Sequence, residues 1–317
     1  MRKLFKKKKT GINLFYPTFR ISHYINEKLY GSANNNIILS YRFAKEMRYF
    51  PNIETPKSLN EKILWLTQHY KNPQTTICAD KYRVKDYIKE KTGRDYLTVP
   101  TLATYNNVND IKLEELPDKF VLKVNWGWGG NQVFVIKDKQ KINFDKIKSQ
   151  IDDSLQLWNN FYYISYDWGY KDMKPVIYAE KYIEEFDGQL NDYKLYCFNG
   201  KVKMTLVVSN RFSRKKTAKT FFDNEWNILP VKRPKTPINK KIQKPKAWSE
   251  MIEIAEKLSK DFPLLRVDFY IINDKPYIGE LTFHPGSGFE SFEPIEWDYK
   301  LGDYLELPKA NVNIEED

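Results

Sequence analysis

Cysteine and histidine are scarce. Two cysteines in 317 residues, Cys78 and Cys197, are too few for a disulfide framework, and both are expected to be reduced thiols. Three histidines, His23, His69 and His284, stand far apart, which argues against a zinc centre or a His-based nucleophile. No run approaches the ~18 uninterrupted apolar residues of a membrane-spanning helix. The amino end lacks the apolar stretch of a secretory signal. RNP, helix-turn-helix and zinc-finger signatures are missing, so nucleic acid is not an expected partner. The HRD and DFG sequences of protein kinases are missing too, and there is no internal repeat.

What is present is aromatic and basic. Hydrophobic residues make up 41% and aromatics 15%, enough for a large core in two or three packed lobes. The net charge of +11 is unevenly spread. MRKLFKKKK carries six basic residues, RFSRKKTAK (211–219) five, and KRPKTPINKKIQKPK (232–246) seven. Such runs are either solvated loops or contacts for an anionic polymer or membrane surface.

The pattern from about 20 to 72 is mostly helical. SLNEKILWLTQHY is its clearest piece, with Ser58 three places before Glu61 as a capping box. ADKYRVKDYIKEKTG (79–93) predicts a second helix, with Asp80 near its start and Gly93 as its stop. Strands then dominate: FVLKV, QVFVIKD, VIYAEKYI, DYKLYCFNG, KVKMTLVVS, RVDFYII and PYIGELT. Helices interrupt them at 144–158 and 248–262, and Asn199-Gly200 marks a tight hairpin. Residues 228–247, with four prolines, read as a long loop. The class is α+β, rich in antiparallel pairs.

FVLKVNWGWGGNQVFVI (120–136) places Lys123 on a strand, three glycines just after it (Gly127, Gly129, Gly130), and a second strand beyond. A Walker loop runs from strand into helix and keeps its lysine after the glycines. A strand–loop–strand order instead fits a flap whose amides approach phosphate oxygens, with Lys123 as a point charge. The alternative is a glycine-rich hairpin bearing a surface lysine, with Trp126 and Trp128 either packing or capping a ligand.

RVDFYIINDKPYIGELT (266–282) reads as a hairpin with a three-residue turn at Asn273-Asp274-Lys275. Centred on Asp274, that turn sets Asp268 opposite Glu280 and Arg266 opposite Thr282, all on one face. Val267, Phe269, Ile271, Tyr277, Gly279 and Leu281 are then left for the core. Opposed carboxylates repel, and a divalent cation relieves the repulsion. With few histidines and hard oxygen donors, that cation is Mg²⁺. Arg266 is placed to hold a terminal phosphate and stabilise transition-state charge. The alternative is a surface hairpin in which Asp268 pairs with Arg266 or a lysine. Gly286 and Gly288 in the following loop, FHPGSGFE, offer a backbone cradle for an oxyanion, with Ser287 as donor. IYAEKYIEE (177–185) reads either as an adenine-contacting strand or as an ordinary amphipathic one. Lys194 is either a phosphate ligand or an exposed lysine.

In order, TPKSLNEKILWL, ICADKYRVKDYI, FVLKVNWGWGGN, IYAEKYIEE, LNDYKLYCFNGKV, RVDFYIINDKPYIGELTFHPGSGFE and WDYKLGDYL resemble the TupA-like (teichuronopeptide-synthesis-like) family of the ATP-grasp superfamily, over about residues 40–305. The resemblance implies an ATP-grasp fold, two α+β lobes holding ATP between antiparallel sheets behind a helical amino-terminal region. It divides the chain into a basic tail (1–10), a helical region (11–75), a first ATP-grasp part with the flap (76–184), a second part with the metal and phosphate hairpin (185–305) and an acidic tail (306–317). It implies ATP and Mg²⁺ as cofactors. Lys123, Gly127, Gly129 and Gly130 resemble the flap and its lysine. Glu180, Lys181, Tyr182 and Ile183 resemble the adenine linker. Lys194 and Arg266 resemble the catalytic phosphate-side cations, and Asp268 and Glu280 the metal carboxylates. Thr282 stands where the wider superfamily commonly has asparagine, as a third oxygen donor. Arg211, Gly286, Ser287 and Gly288 are the substrate candidates.

The implied reaction is carboxylate–amine ligation through an acylphosphate. The carboxylate would be a uronic acid or an amino acid, in a capsule, teichuronopeptide-like or other surface polysaccharide. The expected location is the cytoplasm, with residues 1–9 contacting the anionic inner membrane face. The competing expectations are a glycosyltransferase of surface-polysaccharide assembly and a non-catalytic glycan-binding protein of the same fold.

Overall fold

The computed structural model describes residues 37–126, 132–158, 162, 165–184, 190–210 and 216–309. The basic tail, the flap glycines Gly127, Gly129 and Gly130, Arg211 and most of the acidic tail lie outside the described residues.

Helix α1 (Ile37–Met47) leads into α2 (Leu59–His69), where the predicted capping box forms. The Glu61 amide donates to Ser58 Oγ at 3.2 Å, and the Ser58 amide donates to Glu61 Oε2 at 3.0 Å. Residues 79–93 are not one helix. Helix α3 (Pro73–Ala79) ends first, and α4 (Val84–Thr92) starts only after a turn. The buried Asp80 is the cause: its Oδ1 accepts from the amides of Tyr82 and Arg83, a local alternative to helical bonding. Gly93 does stop the helix, at φ 70°.

A four-stranded sheet is built from β1 (Thr101–Tyr105), β2 (Phe120–Val124), β3 (Val133–Ile136) and β4 (Ile177–Lys181), in the order β1-β4-β2-β3. Helix α5 (Phe144–Trp158) joins β3 towards β4. A five-stranded sheet follows, made of β5 (Asp192–Phe198), β6 (Lys201–Ser209), β7 (Ala218–Phe222), β8 (Leu264–Ile272) and β9 (Lys275–Thr282), in the order β7-β6-β5-β8-β9. Every pairing in both sheets is antiparallel. Helices α6 (Trp248–Ser259) and α7 (Glu296–Asp303) complete the described elements. Two strands go unpredicted. β1 lacks a long apolar run, and β7 lies inside a segment whose lysines suggest a loop.

The five-stranded sheet has apolar neighbours on both faces. Leu195, Cys197, Val267 and Phe269 pack with α4 and α6, while Tyr196, Leu206, Val208 and Phe221 pack with α1, α2 and α7. A separate cluster, containing Phe120, Leu122, Ile177 and Ala179, lies beneath the four-stranded sheet.

The β8–β9 hairpin departs from expectation in an instructive way. Its turn has two residues, Asn273 and Asp274 at φ 50° and 60°, with Ile272 opposite Lys275. Such a turn alone would set the register off by one. A bulge leaves Gly279 unpaired between Phe269–Ile278 and Asp268–Glu280, and the expected pairs Asp268–Glu280 and Arg266–Thr282 are restored beyond it. On the turn side of the bulge, Ile278 joins the core cluster, and Tyr277, expected there, faces the cleft instead.

Candidate functional site

A cavity of about 340 Å³ opens between the two sheets, and a recess of about 1160 Å³ adjoins it. Period-two alternation aims the side chains. In β2, Phe120, Leu122 and Val124 go to the core, so Lys123 between them faces the cleft. Its cross-strand partners are Tyr178 and Val133. Val133 is 41% exposed, an apolar surface on the cleft wall.

Glu180 is buried, and its carboxylate is clasped by two lysines. Lys123 pairs with Oε2, and Lys85 from α4 with Oε1 at 2.5 Å. Lys85 also donates to the Val99 carbonyl at 2.7 Å and Thr101 Oγ1 at 2.8 Å. Burial lowers the Lys85 pKa, Glu180 opposes that effect, and Lys123 adds to it. The side chain assigned to an adenine linker thus orients two cations. Lys181, Tyr182 and Ile183 line the adjoining recess.

On the five-stranded sheet, Arg266 grips Asp268 in a fork, Nε to Oδ1 at 2.6 Å and Nη2 to Oδ2 at 2.8 Å. Nη2 also donates to Thr282 Oγ1 at 3.0 Å, which donates to Glu280 Oε1 at 2.8 Å. Lys194, opposite Asp268 on β5, pairs with Oδ2. Asp268 does pair with Arg266 and a lysine, as in the alternative reading, but buried in a cleft wall and not on a surface. Burial pushes the Glu280 carboxyl up, yet Lys81, Arg266 and Lys194, with the Thr282 hydrogen bond, outweigh it and hold the pKa at about 2.

The structure therefore brings Lys123, Glu180, Lys194, Arg266, Asp268, Glu280 and Thr282 together. Lys81 and Lys85 escaped sequence reasoning: Lys85 sits in the first turn of α4 and Lys81 in the turn before it, and only packing brings both to the cleft. Among the described residues lining the cavity, five cations (Lys81, Lys85, Lys123, Lys194, Arg266) meet three carboxylates (Glu180, Asp268, Glu280), an excess of two positive charges.

Gly286, Ser287 and Gly288 all have positive φ, at 61°, 55° and 72°. Packing requires both glycines. A Cβ on Gly286 would lie 2.1 Å from Glu290 Cγ, and one on Gly288 2.7 Å from the Asn60 carbonyl oxygen. The Ser287 amide is spent on the His284 carbonyl at 2.8 Å.

Among the described residues no group of three or more His, Cys, Asp or Glu side chains forms a closed metal cage. The fit to Mg²⁺ rests on an open site: two carboxylates directly opposed on one face, with the Lys194 ammonium already against Asp268 and near Glu280. A magnesium ion held by few protein oxygens, with phosphates completing its shell, suits such a site.

The family model described as TupA-like ATPgrasp matches residues 61–306. No curated protein matches the chain. Among solved structures, the chain is similar to D-alanine–D-alanine ligase from Bacillus anthracis complexed with ATP, at 17% identity and TM-score 0.42, covering 72% of this chain and 65% of that one. It is similar to D-alanine–D-alanine ligase from Helicobacter pylori, at 18% identity and TM-score 0.41, covering 73% and 62%. L-amino acid ligase from Bacillus licheniformis is also similar, at 14% identity and TM-score 0.39, covering 68% and 44%. The matches thus span less than two thirds of the length of these ligases.

Proposed function

The chain belongs to the TupA-like ATP-grasp family, and from that premise we propose that it is an ATP-dependent carboxylate–amine ligase. The observation that carries this reading is the cationic cleft between two antiparallel sheets, with Asp268 and Glu280 opposed beside Arg266 and Lys194. An excess of two positive charges, confined with low-dielectric walls, suits a triphosphate with one bound divalent cation. Asp268 and Glu280 would hold Mg²⁺, which when bound would supply positive charge against that developing on the transferred phosphoryl group.

The chain's own residues position and neutralise. Lys123 and Lys85, aligned by Glu180, present ammonium groups from the first sheet and α4. Arg266, held rigid by its fork to Asp268, presents a fixed guanidinium from the second sheet. Lys194 and Lys81 stand over Asp268 and Glu280. In the proposed reaction the substrate carboxylate takes the γ-phosphoryl group of ATP, releasing ADP. An amine then attacks the acyl carbon, and phosphate leaves as the amide forms. No protein nucleophile is required, and catalysis is positioning and charge stabilisation.

The acceptor we propose is a uronic-acid carboxylate of an anionic surface polysaccharide. Its support on this chain is basic surface: Lys216, Lys235, Lys240, Lys241, Lys244 and Lys246 are exposed. The test is ADP release by the full chain with Mg-ATP, crossing uronic acids and nucleotide-linked uronates against amines. ADP formation that needs both an acid and an amine, and falls about 100-fold in Glu280→Gln, is expected. ADP formation that is indifferent to both partners overturns the ligase reading.

A further inference from the structure

Lys219 lies in a segment whose basic composition suggested solvent, yet it is half-buried in β7. The ladder fixes its place. Lys194 pairs with Leu206, and Leu206 with Phe221, so Lys219 stands two residues along β7 from the row of Lys194. Two strand spacings and two residue steps separate them, about 12 Å between Cα atoms. Both side chains leave the same face of the sheet, the face that carries Arg266 and Asp268.

The carboxylate that acts on Lys219 is already committed. Glu290 pairs with Arg233 at 2.6 Å. Arg233 is itself locked, donating to the carbonyls of Glu290 at 2.8 Å and Ser291 at 3.1 Å, with its guanidinium 4.1 Å from the Phe292 ring centre. Among the described residues no carboxylate forms an ion pair with Lys219. Burial lowers its pKa, Glu290 opposes this, and Arg233, Lys194 and Arg266 lower it further. A half-buried ammonium facing three other cations is costly in the free protein and is relieved by an anion. Glu290 also abuts Gly286, so the carboxylate acting on Lys219 belongs to the Gly286 loop; the Lys219 amide donates to the Pro237 carbonyl at 2.9 Å along the outer edge of β7, and Lys219 does not line the cavity assigned to phosphates.

We propose that Lys219 binds a second anionic group on the acid whose carboxylate is activated beside Lys194 and Arg266, so that the enzyme selects doubly anionic acids over simple ones. This rests on the ligase reading. The second group is a carboxylate or a phosphate, and a sugar-sized acid spans the interval.

The test uses the full chain saturated with Mg²⁺ and a non-hydrolysable ATP analogue. Calorimetry compares D-glucuronate, with one carboxylate, against D-glucarate, with two, and D-glucuronate 1-phosphate. Wild type is expected to bind at least one doubly anionic probe tenfold or more tightly than glucuronate, and the probe that gains identifies the second group. Lys219→Met should lose that preference and Lys219→Arg retain most of it, with thermal melting confirming that both variants are folded. Equal affinity for all three probes in wild type, or a preference that survives in Lys219→Met, overturns the proposal while leaving the ligase reading intact. Failure of wild type to bind the nucleotide analogue removes the ligase reading, and this proposal with it.

Discussion

Asp268 and Glu280 stand opposite each other because one residue, Gly279, is bulged out of β9 between the tight turn and the site. Without the bulge, a two-residue turn would turn Glu280 towards the core, since a one-residue slip moves every side chain to the other face. A Cβ on Gly279 would lie 2.5 Å from Tyr270 Cε2, and Tyr270 lines the cleft. Gly279→Ala should therefore cost about 1–3 kcal/mol of stability by overpacking and weaken nucleotide binding. Urea melts and nucleotide titration check both, and a variant with wild-type values on each would show that the bulge tolerates a side chain.

Glu180 is expected to matter through Lys85 and Lys123. Glu180→Gln leaves two partly buried ammonium groups without their shared anion, a loss on the order of 3–5 kcal/mol when a buried pair is broken. Lys85→Met and Lys123→Met should each raise the Kd for ATP about tenfold, or about 1.4 kcal/mol. Denaturation of the first variant and equilibrium binding by the other two are the measurements.

Asp298 offers a pH test outside the cleft. It is fully buried in α7 and accepts from the Asn60 amide at 3.0 Å. Burial raises its pKa above the ordinary 3.8, and the Asn60 hydrogen bonds only partly oppose the shift. The folded chain therefore holds this proton longer than the unfolded chain, and its contribution to stability falls as pH rises through the window above 3.8. Asp298→Asn lacks that titration, so stability measured from pH 4 to 7 should move in the variant's favour as pH increases. A constant difference across that range would contradict the assignment.

Asn60 ties α2 to the loop after β9. Its Nδ2 donates to the Glu290 carbonyl at 3.1 Å, its Oδ1 accepts from the Glu290 amide at 3.2 Å, and its carbonyl packs against Gly288. Asn60→Ala should destabilise the chain by about 1–3 kcal/mol, leaving buried backbone groups unpaired. Hydrogen exchange should show faster exchange at residues 286–291 and unchanged protection in the first sheet.

Much of the fold was legible because its signals are local. Ser58 and Glu61 cap a helix through groups three residues apart, Gly93 ends one, and Asn199-Gly200 closes the β5–β6 turn with both residues at positive φ. Alternation alone puts Arg266 and Asp268 on one face of β8 and Glu280 and Thr282 on one face of β9. The start of α4 differs from the sequence reading because Asp80 Oδ1 takes the amides of Tyr82 and Arg83, while a distant residue, Asn125, fixes its Oδ2 by donating from Nδ2 at 2.6 Å.

By itself the chain determined its periodicities, its caps and the residue types available for phosphate and metal chemistry, since each depends on neighbours within a few positions. Tertiary structure alone decided that Lys81 and Lys85 join the cleft, that Glu180 serves two lysines, and that Lys219 is half-buried near Lys194 and Arg266. Those outcomes depend on electrostatic and packing contacts between residues tens of positions apart or more, and such contacts exist only once distant strands have paired and the helices have packed against them.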